Sequence, residues 1–236
     1  VLMPFGGKYQ LTPAEGMAAK IPVQKGETNT ATLMAFGFHP DIACWSPFHG
    51  AVFAILEAAA KITAMGGDYR KIRLTLQEYF EHLGSDPKKW GKPFSALLGA
   101  FYAQEKLGIP AIGGKDSMSG SFEDLTVPPS LTAFALCTAD AEDILSPEFQ
   151  SPDSQAILLP LDMDGNDLPD FDQLKRNYTR IHALVREKKI TAAQSVRNGG
   201  IAEAVSRMCF GNRIGFVFRL TEAQELFRPL YGSILL

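Results

Sequence analysis

Cysteine is scarce in this chain, and the three that occur, Cys44, Cys137 and Cys209, are odd in number and far apart. None forms a Cys-x-x-Cys pair and each sits beside apolar or aromatic residues. That pattern reads as buried free thiols in a reducing compartment, the cytoplasm, and weighs against thiolate metal ligands. An excess of one charge is missing as well: 23 Lys and Arg stand against 26 Asp and Glu, a net charge of −3. Without a basic stripe to track a phosphate backbone, nucleic acid is not an expected partner. No apolar run approaches the roughly 20 residues of a membrane span, so no membrane partner is expected either. The opening Val-Leu-Met-Pro-Phe-Gly-Gly has neither the charged nor the apolar region of a signal peptide. What remains is a globular composition, 46% hydrophobic and 21% charged over 236 residues, enough for one large domain or two ordinary ones.

Periodicity supplies the organisation. The first 45 residues, rich in Gly, Pro, Thr and Lys, read as an extended lead-in with one or two short strands. Ser46-Pro47-Phe48-His49-Gly50 then opens a helix predicted over Ala51 to Met65, closed by Gly66-Gly67 where helices take a left-handed cap. Ile72, Leu74 and Leu76 alternate with Arg73 and Thr75 as in a strand with one wet face. A second helix is predicted from Phe94 to Leu107, stopped by Gly108 and Pro110. A short apolar strand follows it, then Gly113-Gly114-Lys115-Asp116-Ser117, and a buried strand from Ser130 to Thr138. The acidic stretch 141–154, twice interrupted by Pro, marks a boundary. The predicted division is an N-terminal domain over 1–142, a linker over 143–154 and a second domain over 155–236. The second part is expected to hold a strand (Ala156–Leu161), helices over Phe171–Lys188 and Gly200–Cys209, and a strand (Ile214–Leu220). At about 85 residues it is marginal alone and is expected to be cut short.

Four groups of residues can carry chemistry. Gly113, Gly114, Lys115, Asp116 and Ser117 follow a strand, and paired glycines bring backbone N–H groups close to an anion while Lys adds charge and Ser a hydroxyl. A solvated glycine turn is the alternative. A Walker A loop is excluded, because Lys115 is followed by Asp116 and the required earlier Gly is Ile109. On the helix from Ala51, Glu57 and Lys61 are spaced i, i+4 and can touch; the apolar surroundings favour burial, where a carboxylate must be paired or bind a cation. Arg197-Asn198-Gly199-Gly200 opens a helix and exposes N–H groups to an anion, or else Asn198 is simply an N-cap. His49 opens the first helix, where the helix N-terminus disfavours the imidazolium; it is the candidate base, with structural hydrogen bonding as the alternative. His39, His82 and His182 have no partners visible in sequence.

In this order the pieces resemble one family. Ile109-Pro-Ala-Ile-Gly-Gly-Lys-Asp-Ser-Met-Ser119, followed by Val127-Pro-Pro-Ser-Leu-Thr-Ala-Phe-Ala135, is similar to the Gly-Lys-Asp-Ser-Met-Ser signature in the second half of large formylglycinamide ribonucleotide amidotransferases. Ser46 to Phe80 and Arg197 to Gly200 fall where that family has a metal-binding helix and an Asp-Gly-Gly turn. The resemblance implies an α+β fold: an aminoimidazole-ribonucleotide-synthetase-like N-domain forming half of a shared β-barrel with flanking helices, then a partial α/β C-domain. It implies part of a carbon–nitrogen ligase that converts formylglycinamide ribonucleotide to the amidine in purine synthesis. ATP and Mg2+ are its cofactors and glutamine its amido donor. The implied partners are the first synthetase repeat and a glutaminase domain of the same enzyme; a half-barrel standing alone could instead pair with a second copy to cover its open edge. The alternatives are a non-catalytic, auxiliary nucleotide-binding half of that enzyme, or a free-standing related synthetase. In the family's auxiliary site two Asp, one Glu and one Asn hold magnesium. Here Glu57 fits the Glu, Lys61 stands at the Asn, Asn198 at one Asp, and Ala18 or Ala19 at the other. The resemblance therefore implies a degenerate site that binds no Mg-nucleotide in the usual way, though Lys115, Lys61 and the Gly-Gly turns can meet phosphate.

Overall fold

The computed structural model describes residues 5–219 and 223–236, and the architecture is α+β. One mixed sheet contains β1 (Met17–Lys20), β2 (Thr30–Phe38), β3 (Arg73–Tyr79), β4 (Ala111–Ser117) and β5 (Ser130–Asp140), in the order β1-β2-β5-β3-β4. β1 and β2 are antiparallel, as are β3 and β5, whereas β4 runs parallel to β3 as an edge strand. A small sheet joins β6 (Leu158–Leu159), β7 (Gln194–Ser195) and β8 (Ile234–Leu235). The helices are α1 (Pro40–Trp45), α2 (Pro47–Ala64), α3 (Pro87–Leu107), α4 (Phe171–Arg186) and α5 (Gly200–Phe210). No helix among the described residues is long and apolar enough to cross a membrane. By compactness the chain forms two units, one of residues 35–59 and 70–136, the other of 1–34, 60–69 and 137–236.

In the first unit, period-two burial sorts the strands. Leu74 on β3 and Leu131, Ala133 and Ala135 on β5 are buried, while Thr75 and Tyr79 lie on the outward face. The inward face meets α2, whose Val52, Ile55, Leu56, Ala58 and Ala59 are at most 1% exposed. Gly37 allows this approach: a Cβ there would fall 1.9 Å from the Ala54 carbonyl oxygen. α3 begins earlier than its apolar periodicity suggests, because Asp86 caps it, accepting from the Lys88 amide at 2.9 Å, and Pro87 takes the first turn, where no donor is needed. Gly108 ends it in the left-handed conformation, as the sequence predicts.

In the second unit Gly66 (φ +94°) donates to Thr63 O and Gly67 to Ile62 O, the paired bonds of a Schellman cap on α2. Leu174, Tyr178, Ile181 and Val185 form the inner stripe of α4, and the Tyr178 hydroxyl donates to Gly232 O at 3.0 Å. Phe149, Val196, Val205, Met208 and Leu235 form a second core around α5. Two expectations fail here. Residues 214–219, predicted as a strand through Leu220, run without strand pairing, and Leu220 lies outside the described residues. The strand over Ala156–Leu161 shrinks to Leu158–Leu159, because only two residues pair with β8. The thiols differ from expectation too: Cys137 is buried, but Cys209 is half-buried and Cys44 exposed.

Candidate functional site

Glu57 lies in the middle of α2 and is buried. A carboxylate taken out of water needs partners, and these come from the end of β2 and the start of α1. His39 Nε2 stands 2.8 Å from Glu57 Oε2, and the Phe38 amide donates to the same oxygen at 3.3 Å. Phe53 meets the His39 ring edge-on, 6.4 Å between centroids. Lys61, one turn further along α2, is buried as well, at 4% exposure. Sequence spacing drew attention to Lys61 and missed His39, because the partner arrives from a strand end that no local periodicity connects to α2.

The Gly-Lys-Asp-Ser segment corrects a reading. Gly113 and Gly114 were expected to turn sharply, but neither has a positive φ, and both belong to β4. Their backbone is drawn out by parallel pairing with β3: Thr75 faces Gly113, Leu76 Gly114, Gln77 Lys115, Glu78 Asp116 and Tyr79 Ser117. An extended strand alternates its N–H groups between its two edges rather than converging them on one anion. The cradle is therefore absent, and what β4 presents is side chains. Lys115 Nζ lies 5.7 Å from the Tyr79 ring centroid, within cation–π range. Asp116 lies beside Glu78, which is 1% exposed. Burial, and then the neighbouring Asp116 carboxyl, push the Glu78 acid up to about 7. The alternation of β3 puts Glu78 on the inward face with Leu74, a signal the sequence contains; the parallel register that brings Asp116 to it is not.

Arg197-Asn198-Gly199-Gly200 opens α5 as predicted, with Gly199 at the cap and Gly200 at φ +65°. The exposed Asn198 makes no capping bond, since the capping residue is Gly199. The turn's donors are engaged internally: the Gly199 amide donates to Glu203 Oε2 at 3.1 Å and that of Gly200 to Arg197 O at 3.0 Å. An acidic side chain on the first-turn amides holds the place an anion would take. Buried Glu15 pins the approach to this turn, accepting from the Gln194 side chain and from the Ser195 amide at 3.1 Å, with Arg197 at 3.5 Å. His49, in the first turn of α2, has Nδ1 2.8 Å from Ser46 Oγ, while its own amide donates to that oxygen at 3.3 Å and Trp45 packs on its ring at 4.7 Å. These contacts hold the ring at the start of the helix, where the Ser46 hydroxyl accepts from the His49 amide.

Within the first unit, Glu57 and the β4 residues stand in the surroundings of separate strands. β4 is an edge strand, and β2, whose Phe38 amide meets Glu57, stands three places along the sheet, about 14 Å at ordinary strand spacing. Lys61 and Arg197–Gly200 fall in the other compact unit. Among the described residues no group of three His, Cys, Asp or Glu is arranged to hold a metal ion. One carboxylate already bonded to an imidazole and an amide does not fit Mg2+, which wants near-octahedral oxygen ligands.

No family model matches the chain. A probable chloroplastic/mitochondrial phosphoribosylformylglycinamidine synthase of Arabidopsis thaliana is 26% identical over 167 residues, 59% of this chain and 12% of that protein. Among solved structures, T. maritima PurL complexed with ADP superposes with a TM-score of 0.71 at 13% identity, over 98% of this chain and 38% of the other. The complex of the same protein with FGAR gives 0.68 at 16%, over 95% and 33%. The mixed sheet and its helices therefore share the α+β fold of PurL. The chain is thus similar over part of its length to phosphoribosylformylglycinamidine synthase and shares the fold of PurL, and it spans 12% of the plant relative and about a third of the solved ones.

Proposed function

We propose that the chain is the second synthetase-like repeat of a formylglycinamide ribonucleotide amidotransferase, and that within it this segment serves as an architectural half without a Mg-nucleotide site. The whole enzyme would be an ATP-dependent carbon–nitrogen ligase of purine synthesis, with ammonia from glutamine supplied by a glutaminase domain. The relatives support this reading, since structures of PurL carry ADP in one case and FGAR in another. One observation carries the architectural part: the Glu57 carboxylate is bonded to His39 and to the Phe38 amide. Both contacts fall on Oε2, so that oxygen already faces the protein's own groups. On this reading residues 1–142 are the half-barrel domain, 143–154 the linker and 155–236 the second domain. The half-barrel is supported by an outward sheet face that carries Phe36, Phe38 and Tyr79 at 40–54% exposure, with Phe134 and Leu136 beside them half-buried. Such a face calls for an apolar partner, and the first repeat of the same enzyme is the partner proposed. Phosphate contact, on this reading, falls to Lys115 and Ser117. The test is equilibrium binding of labelled ADP with and without Mg2+, on the chain and on the intact enzyme. The expected result is no Mg-dependent binding by the chain and no second tightly held Mg-ADP in the enzyme; finding that second Mg-ADP overturns the architectural reading.

A further inference from the structure

α3 is built inside out. The side packed into the protein carries small residues, Pro93, Ala96, Gly99, Ala100 and Ala103, closed by Leu107. A Cβ on Gly99 would lie 2.1 Å from the Phe48 carbonyl oxygen, so the helix seats backbone against backbone. The large apolar side chains point the other way: Trp90 is 54% exposed, Phe94 63%, Leu97 48%, Leu98 46% and Phe101 60%. In a surface helix of a globular protein the apolar stripe faces the core, so a second, outward stripe of this size calls for a partner of its own.

The spacing says what shape that partner has. Positions 90, 94, 97 and 101 follow the 4-3-4 rhythm of an a/d seam, which interlocks with another helix. The row is also self-complementary. In an antiparallel pair with its two-fold axis between Ser95 and Ala96, Trp90 of one copy meets Phe101 of the other, and Phe94 meets Leu97. Such a contact is isologous and closes at two copies. Three rings and two leucines, each about half exposed, present about 500 Å2. Two copies would bury about 1,000 Å2, the lower bound for a specific interface, which fits a reversible dimer.

We propose that the outward face of α3, Trp90–Phe94–Leu97–Phe101, is a homodimer interface formed by antiparallel pairing with α3 of a second copy. It is separate from the outward sheet face and does not depend on the proposed enzymatic role. Sedimentation velocity over a micromolar concentration range tests it with three proteins: wild type, Phe94→Lys/Phe101→Lys, and Phe36→Lys as the sheet-face control. Circular dichroism confirms that each is folded. The wild type should dimerise reversibly, and the α3 double variant should dissociate at concentrations about 100-fold higher or stay monomeric. The Phe36→Lys variant should behave as wild type. In a Cys44→Ser background, Leu97→Cys should be joined in pairs by a short bis-maleimide. A wild-type monomer throughout, a dimer lost with Phe36→Lys but kept in the α3 variant, or no cross-link at Leu97→Cys in a dimeric sample would each overturn the proposal.

Discussion

Glu78 stands where the inward alternation of β3 calls for a hydrocarbon side chain, and its surroundings strengthen its hold on a proton. Burial, with the Asp116 carboxyl next, raises its pKa from 4.5 to about 7. A folded-state pKa above the unfolded one means that the native protein binds this proton more tightly. The associated stability is fully present below about pH 4.5 and is lost as pH rises through about 7, on the order of 3 kcal/mol for the full excursion. Chemical denaturation at pH 5.5 and pH 8.5 measures it. The isosteric Glu78→Gln variant should remove most of this fall, and an equally steep loss in that variant would place its origin elsewhere. Asp143 has the opposite sign. Burial opposes its ionisation, but the hydrogen bond and charge of Lys188 and the charge of Arg186, 2.7 and 2.9 Å away, outweigh that and hold the acid below its ordinary range. Its contribution is present above about pH 4 and is lost as pH falls through the lowered pKa. Since Arg186 and Lys188 are about 60% exposed, screening limits the effect. Asp143→Asn should cost about 1 kcal/mol at neutral pH and almost nothing near pH 2, as read by urea denaturation.

At the scale of the element, α3 offers an internal control on what glycine contributes. Gly91 and Gly99 lie in the same helix, and on propensity alone each change to Ala should gain about 1 kcal/mol. Around Gly91 nothing lies within 4 Å of the added methyl, so Gly91→Ala should stabilise by about 0.5–1 kcal/mol. At Gly99 the methyl would sit 2.1 Å from Phe48 O, a backbone atom that cannot step aside. There the clash should reverse the sign, with a net loss of about 2 kcal/mol. Thermal melts of the two variants should therefore move in opposite directions. The same helix shows how far the sequence could be read. Its C-terminal stop at Gly108 was legible because a left-handed cap is a local event. Its start was misplaced at Phe94 because Asp86 and Pro87 lie outside the apolar stripe on which that reading relied. α2 was legible almost entirely, since a helix apolar on every side has few places to go. β4 was not: Gly113-Gly114 has the local chemistry of a turn, and only a parallel neighbour distant in sequence draws it out as a strand. Residues 214–219 are the reverse case, a strand-like apolar alternation that finds no strand to pair with.

Across the molecule, the functional reading turns on residues that several separate elements contribute, which is why the sequence named Glu57 but not its partner. Partners of a buried carboxylate are set by which strand end passes it, and the order β1-β2-β5-β3-β4 cannot be deduced from alternation within single strands. The same order sets the strand whose end meets Glu57 three places from the strand that carries Lys115. A protein that binds a nucleotide only when folded is stabilised by it: at 100 times the dissociation constant the gain is about 2.7 kcal/mol, several degrees in melting temperature. The engaged Glu57, with no metal-holding group of His, Cys, Asp or Glu among the described residues, leads to a different expectation for this chain. Millimolar ADP with millimolar Mg2+ should shift its melting temperature by less than about 1 °C, and ADP with EDTA should give the same result. Replacing His39 by Ala should not create a response. It removes one partner of a buried carboxylate, at a cost of about 3 kcal/mol, and still leaves a single acidic ligand where an octahedral ion needs several. A Mg-dependent rise of several degrees in the wild type would show that oxygen ligands assemble around Glu57 after all, with His39 displaced, and the segment would then be a nucleotide site rather than a scaffold.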